Sequence, residues 1–437
     1  MINHNSNCQL ITTSTLFFRS AINPGRRPVK SCRISAIHMI SDIRGSVTIA
    51  LVGDQGTGKS SLFRHLTGQQ QTDEYTPTVM YGVGYRNYED RDVTIIDLPG
   101  NVKRSKNCIR GLQLSDFAVG VFSAKPEKIA ILEEIINGRD IGKSILIVNF
   151  ASGTTSILLL VSSMDIITYQ EEEFTHISTL LTTIMKRTYP QIKSFIIIPT
   201  VNTTGENITF RSDKMPWYSG PILNELIRQI PISISPICDN LELFVTRIFK
   251  KTSAGIVLEG KICSGELKIG MNLRLDCSDT ISNCTSIHIG GKPAESAEMS
   301  QMVYFQLQNP EKFKIEPGTV VHRAEDPRRK MTTSVISDTI VIGKQDFKVG
   351  YSPTAFINFR QVKAKIEKIN HKFNIRNGAR IEENPILIKQ REGGSCTIKF
   401  SEPVYCVTLK DNTRLGRIIY KENDKYVGAS AIREILN

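Results

Sequence analysis

The run Gly53-Asp54-Gln55-Gly56-Thr57-Gly58-Lys59-Ser60 has the spacing G-x-x-x-x-G-K-S and constrains the fold more than any other stretch of the chain. The β-branched run Val47 to Val52 precedes it and reads as a buried strand. Ser60 to Thr67 reads as a helix, which Gly68 stops. A strand that turns through glycines into a helix aims several backbone N–H groups, and the positive end of the helix, at one point. That point is an anion cradle. Lys59 is placed to reach the β- and γ-phosphates of a nucleotide, Ser60 to ligate Mg²⁺, and Ser61 follows in the first helical turn.

The rest of the first half continues the alternation. Val93 to Ile96 is a second strand, ending at Asp97, and Phe117 to Phe122 is a third. Ile129, Leu132, Ile135 and Ile136 have helical spacing. Ile145 to Val148 and Leu158 to Val161 compete to be the strand that carries the base-binding loop, and the second is preferred. His176 to Met185 reads as a helix and Phe195 to Ile198 as a further strand. Strand–helix alternation of this kind predicts a parallel-dominated sheet with helices on both faces. From Leu241 onward the pattern changes to short, alternating, glycine-punctuated runs, such as Gly255 to Lys261, Met271 to Leu275 and Met302 to Leu307. This predicts two small β-barrels, divided near Glu325 to Thr333. The expected fold class is thus an α/β P-loop domain followed by two β-barrels. The expected divisions are a basic tail at 1–45, the nucleotide domain at 46–235, and barrels at 240–328 and 332–437.

Composition bounds the function without naming it. The 437 residues are 40% hydrophobic and 22% charged, which suffices for sizeable cores. The net charge of +12 suits an anionic partner such as nucleic acid, and suits a plain solvated basic surface equally well. Nine scattered cysteines form no C-x-x-C pair, so reduced thiols and no zinc site are expected. No apolar run reaches the ~18 residues of a membrane span. The segment before Asp42 holds no acid and carries Arg19, Arg26, Arg27, Lys30 and Arg33. It reads as a disordered basic tail or as a mitochondrial targeting segment; the tail, and with it a cytoplasmic location, is preferred.

A second motif sharpens the first. Asp97-Leu98-Pro99-Gly100 follows a hydrophobic strand and fits D-x-x-G, in which the Asp holds a magnesium-bound water and the Gly N–H meets the γ-phosphate. Placed after a P-loop, this turn points to a nucleotide switch. Thr78 lies between the two motifs and is either a residue that closes over Mg²⁺ or a plain loop threonine.

These residues resemble the translational GTPases related to elongation factor one-alpha, in particular the release-factor GTPase and the ribosome-rescue GTPase that partners pelota. Thr78 to Tyr85 is similar to the family's T-V-x-V-G-x-x-Y run. Ile95 to Gly100 is similar to I-x-D-A-P-G-H, and Asn107 to Phe122 to N-M-I-x-G-x-x-Q-A-D-x-A-V-L-V. Ile198 to Thr209 resembles I-P-T-S-G-L-S-G-E-N-L-T of the rescue branch. Met215 to Pro221 resembles the M-P-W-Y-x-G-P that closes these domains, with Trp217 expected to pack there. In the barrels, Gly255 to Gly270 resembles the family's G-x-V-x-x-G-x-I-x-x-G-x-L-x-x-G run, and Glu402-Pro403 with Lys410 to Arg417 its last-domain motifs. The resemblance implies GTP and Mg²⁺ as cofactors. It also implies a ribosome partner, a release-factor-like or pelota-like cargo or tRNA, and action as a monomer away from membranes.

The chain departs from the family at three places. Asn101 stands where the family has the His that orients the attacking water, so hydrolysis is expected to be slow. The base-reading N-K-x-D is Ser162-Ser163-Met164-Asp165, of which Asp165 alone retains the family residue. The S-A or S-G clamp is Val201-Asn202. Each lost base contact costs about 1–3 kcal/mol in affinity or selectivity. Three roles follow from the resemblance: delivery of a release or rescue protein to the ribosome, a hydrolysis-poor adaptor linking ribosomes to RNA decay, and an aminoacyl-tRNA carrier. The first is preferred.

Overall fold

The computed structural model describes residues 45–68, 81–89, 91–101, 104–137, 157–188, 195–230, 240–251, 255–275, 280–326, 331–358, 360–375, 377–412, 415–423 and 425–436. Thr78, the run Ile145 to Val148, part of the expected boundary Glu325 to Thr333 and nearly all of the N-terminal tail lie outside the described residues.

The first domain is built on strands β1 (Gly45–Val52), β2 (Gly82–Asn87), β3 (Arg91–Asp97), β4 (Phe117–Ser123), β5 (Ile157–Ser162) and β6 (Phe195–Pro199). Their order across the sheet is β2-β3-β1-β4-β5-β6. All neighbours are parallel except β2, which runs antiparallel to β3 at the edge. Among the described residues the helices of this domain are α1 (Lys59–Thr67), α2 (Ser105–Leu114), α3 (Pro126–Ile136), α4 (Glu171–Thr188) and α5 (Leu223–Gln229). This is the doubly covered sheet that the strand–helix alternation predicts.

Strand alternation splits the core into two faces. Val47, Ile49 and Leu51 of β1 pack with Leu62 and Leu66 of α1 and Leu223 and Ile227 of α5. Ala50 and Val52 point the other way, to Cys108 and Leu112 of α2. Phe122, Leu159 and Val161 meet Leu132 of α3 and Ile177 and Leu181 of α4. Trp217 packs at this edge, with its indole N–H donating to the Tyr169 carbonyl at 3.0 Å. Close approach of α2 requires Gly111, because a Cβ there would lie 2.1 Å from Leu98 Cδ2.

Two six-stranded antiparallel barrels follow. In the first, strands Asn272–Leu275, Val320–Arg323, Glu242–Lys251, Gly255–Ser264, Met302–Leu307 and Ile281–Ile289 pair in sequence, and the last closes on the first. The second closes the same way through Thr354–Ile357, Arg417–Glu422, Lys425–Leu436, Met331–Val341, Gly393–Tyr405 and Arg360–Phe373. Closure leaves no bare edge in either ring.

Both barrels are welded to the nucleotide domain. Tyr81, Leu98, Cys108 and Leu112 share one buried cluster with Phe244 and Met302 of the first barrel and Val407 and Leu415 of the second. Ile109 of α2 is buried among Phe356, Ile419 and Tyr426 of the second barrel. Lys261 of the first barrel is wholly buried, donates to Thr48 Oγ1 and the Ser300 carbonyl, and pairs with Asp116 at 3.5 Å. Asp116 also accepts the Thr48 N–H at 2.7 Å. A buried charge pair of this kind contributes little net stability while intact, but removing one partner costs about 3–5 kcal/mol. It therefore fixes how the barrel sits on β1.

Candidate nucleotide-binding site

The phosphate loop lies between β1 and α1, where the sequence places it. Gly53 is needed at its start: a Cβ there would stand 2.2 Å from the Val121 carbonyl oxygen of β4. Gly56 and Gly58 hold φ of 81° and 83°, in the left-handed region that favours glycine. Gly58 caps α1, so the helix N-terminus opens into the loop. Gln55 and Gly56 are exposed at the rim, whereas Thr57 is buried and donates to the Asp54 carbonyl at 3.0 Å.

Lys59 lies inside the loop, buried, with Nζ donating to the Asp54 carbonyl at 2.8 Å. Burial pushes its ammonium below the usual lysine range, and Asp97 and then Asp54 oppose that shift. A desolvated ammonium beside backbone N–H groups is a strong partner for an anion. Ser60 donates to Asp97 Oδ2 at 2.7 Å, joining the end of β3 to the start of α1. Two hard oxygen donors converging beside the lysine fit a magnesium ion: Ser60 would ligate it and Asp97 would hold one of its waters. Bound there, the ion would neutralise polyphosphate charge. Ser61 follows in the first turn of α1, partly buried.

The Asp97-Leu-Pro-Gly100 turn comes down onto the loop. A Cβ on Gly100 would meet Gln55 N at 2.6 Å and Lys59 Nζ at 2.8 Å. Asn101 follows, partly buried, and its carbonyl accepts the Arg104 N–H at 2.9 Å at the entrance to α2. The β3 turn, which leads into α2, is therefore in direct touch with the phosphate loop.

The base side is built differently. Ser162 is buried at the end of β5, with Oγ 2.8 Å from the Thr57 carbonyl and 3.0 Å from that of Phe122. Asn202 donates to the Gly58 carbonyl at 3.2 Å and accepts the Thr200 hydroxyl at 2.8 Å. These side chains serve the loop's backbone. Ser163 takes φ 64° and reaches Ser123 Oγ at 3.2 Å, Met164 is buried, and Asp165 stands exposed beyond them. Asp165 is therefore the acidic group of this loop that solvent, or a base, can meet.

One contributor escapes the sequence motifs. Lys128 of α3 donates to the Gln55 carbonyl at 2.8 Å, and no short spacing marks that contact. Asp116 lies inside the stretch that resembles the family and pairs with Lys261 of the first barrel. Thr78 lies outside the described residues.

Comparison with known proteins matches this geometry. Residues 48–192 match the family described as 50S ribosome-binding GTPase, and residues 335–433 that described as GTP-eEF1A C-terminal domain-like. Elongation factor 1-alpha of Sulfolobus acidocaldarius is 25% identical over 363 residues, 82% of each chain. That of Pyrococcus horikoshii is 27% identical over 354 residues, 79% of this chain and 80% of its own. Among solved structures, translation elongation factor SelB of Methanococcus maripaludis, in complex with the GTP analogue GppNHp, superposes with a TM-score of 0.67. It is 18% identical, over 89% of this chain and 79% of its own. The GTPase-like domain of Saccharomyces cerevisiae Ski7, bound to GTP, gives a TM-score of 0.69 at 13% identity, over 89% and 97%. At such identities these structures speak for the fold. The two family matches lie in the first and last parts of one chain, and the two elongation factors span about four fifths of it, so this chain is similar to the translational GTPases of the elongation factor 1-alpha type.

Proposed function

We propose that the chain is a GTP-binding factor that brings a tRNA-shaped release or rescue protein to the ribosome, and that it turns GTP over slowly. The observation that carries this reading is the joint between the phosphate loop and the β3 turn. Ser60 holds Asp97, Gly100 leans on Gln55 and Lys59, and α2 passes from that turn into the core shared with both barrels. A γ-phosphate arriving at Lys59 would press on this turn, and α2 would carry the displacement to the barrel faces. Slow chemistry follows from Asn101, which can hydrogen-bond a water but has no imidazole with which to share its proton.

Contact with ribosomal RNA is supported by where the charge lies. Residues 332–437 carry eighteen basic and eleven acidic residues, while residues 240–328 carry eleven of each. In the second barrel exposed Lys365 sits directly opposite exposed Lys399, whose ammonium also meets Glu367 at 3.6 Å; a pair of lysines on one face suits a phosphate backbone.

A second reading, a nucleotide-held adaptor, is favoured by the same Asn101 and by the buried Lys261–Asp116 lock, which resists domain separation. Multiple-turnover GTP hydrolysis with purified ribosomes separates the two. Delivery predicts a ribosome-dependent baseline that Asn101→His raises about tenfold or more. Absence of any turnover in the native chain, with GTP bound and ribosomes present, would favour the adaptor.

A further inference from the structure

We infer that Lys128, from the first turn of α3, is a second phosphate-loop lysine that orients the loop for the nucleotide and supplies the cation missing at Ser163. The inference rests on the reading of this loop as a guanine-nucleotide site.

The geometry is specific. Lys128 Nζ donates to the Gln55 carbonyl at 2.8 Å, and its Cε lies 4.0 Å from where a Cβ on Gly56 would be. The side chain thus runs over the outer face of the loop at an exposed glycine, whose φ of 81° lies in the left-handed region that favours glycine. A trans peptide points its N–H opposite to its C=O. An ammonium holding the Gln55 oxygen outward therefore turns the Gly56 N–H into the cradle, where an anion would accept it. Lys128 is also close enough to Lys59 to act on its charge, so two ammonium groups converge on one short loop.

The position of this lysine can be set against that of the missing one. The family places its base-motif lysine on the loop after β5, where this chain has Ser163. Ser163 Oγ lies 3.2 Å from Ser123 Oγ at the end of neighbouring β4, and Ser123 Oγ accepts the Lys125 N–H at 3.4 Å. Pro126 then opens α3 and brings Lys128 back over the phosphate loop. The cation arrives from the next strand's exit, two serines away from the position it replaces. Lys128 is a positioning residue for the loop and, through its charge, a contributor to polyphosphate affinity.

The test is titration of the full chain with fluorescent GDP and a non-hydrolysable fluorescent GTP analogue, at several KCl concentrations. Lys128→Gln should weaken both nucleotides about tenfold and flatten the dependence of affinity on salt, because one screened charge is gone. Lys128→Met keeps the stem over Gly56 and should show the same loss, while Lys128→Arg should bind within about twofold of the native chain. Native affinity and native salt dependence in folded Lys128→Gln and Lys128→Met would overturn the inference while leaving the site intact. Failure of the native chain to bind either nucleotide would instead overturn the reading of the site on which it rests.

Discussion

The phosphate half and the base half of one candidate site are built differently in this chain, although the strands that carry them, β1 and β5, are separated in the sheet by β4 alone. On the phosphate side Gly53, Gly58, Lys59, Ser60 and Asp97 stand where backbone geometry and charge require them. On the base side two small polar residues, Ser162 and Asn202, bond the carbonyls of Thr57 and Gly58. The difference teaches which duties of a base-binding loop can be separated. Bracing the phosphate loop needs only a donor at the right place, which a serine supplies. Reading guanine needs a row of groups facing the base, and exposed Asp165 is the one we propose for that duty.

The comparison can be broken from either side. Lys59→Ala should have the largest effect, weakening GTP and GDP by roughly a hundredfold, about 3 kcal/mol for the lost charge-assisted bonds, as read by titration calorimetry. Gly100→Ala comes next. Its methyl would collide with Gln55 N and Lys59 Nζ, so GTP binding should fall about tenfold or more while GDP, which lacks the γ-phosphate, is affected less. Asp165→Ala should cost guanine nucleotides about 2 kcal/mol and leave ATP affinity unchanged; an equal loss for both would show that Asp165 is structural. Ser162→Ala should have the smallest effect on selectivity. It should lower stability by about 1 kcal/mol in chemical denaturation, because a buried loop carbonyl loses its donor.

What was legible in the sequence follows the range of the interactions. The phosphate loop is contiguous, and its glycines, lysine and serine act within one turn of chain, so spacing alone places them. The strand–helix alternation places the sheet for the same reason. Helix α2 and edge strand β2 carry no strong period. α2 is held by Gly111 against Leu98 and by Ile109 inside the second barrel, and both contacts are tertiary. Lys128 is invisible to any motif because the carbonyl it holds is 73 residues away. Lys261 is more misleading still. A lysine in a glycine-punctuated strand reads as a solvated charge, yet it is fully buried on Asp116 and Thr48.

The central claim is an intact phosphate grip joined to a weakened base reader. The most direct measurement is the affinity of the purified chain for GTP, GDP and ATP in the presence of magnesium, and again with the metal chelated. The account predicts magnesium-dependent binding of GTP and GDP with guanine preferred over adenine by no more than roughly a hundredfold, the worth of about 3 kcal/mol of surviving base contacts. No binding of any of the three would contradict the phosphate half. A guanine preference of many thousandfold would contradict the base half.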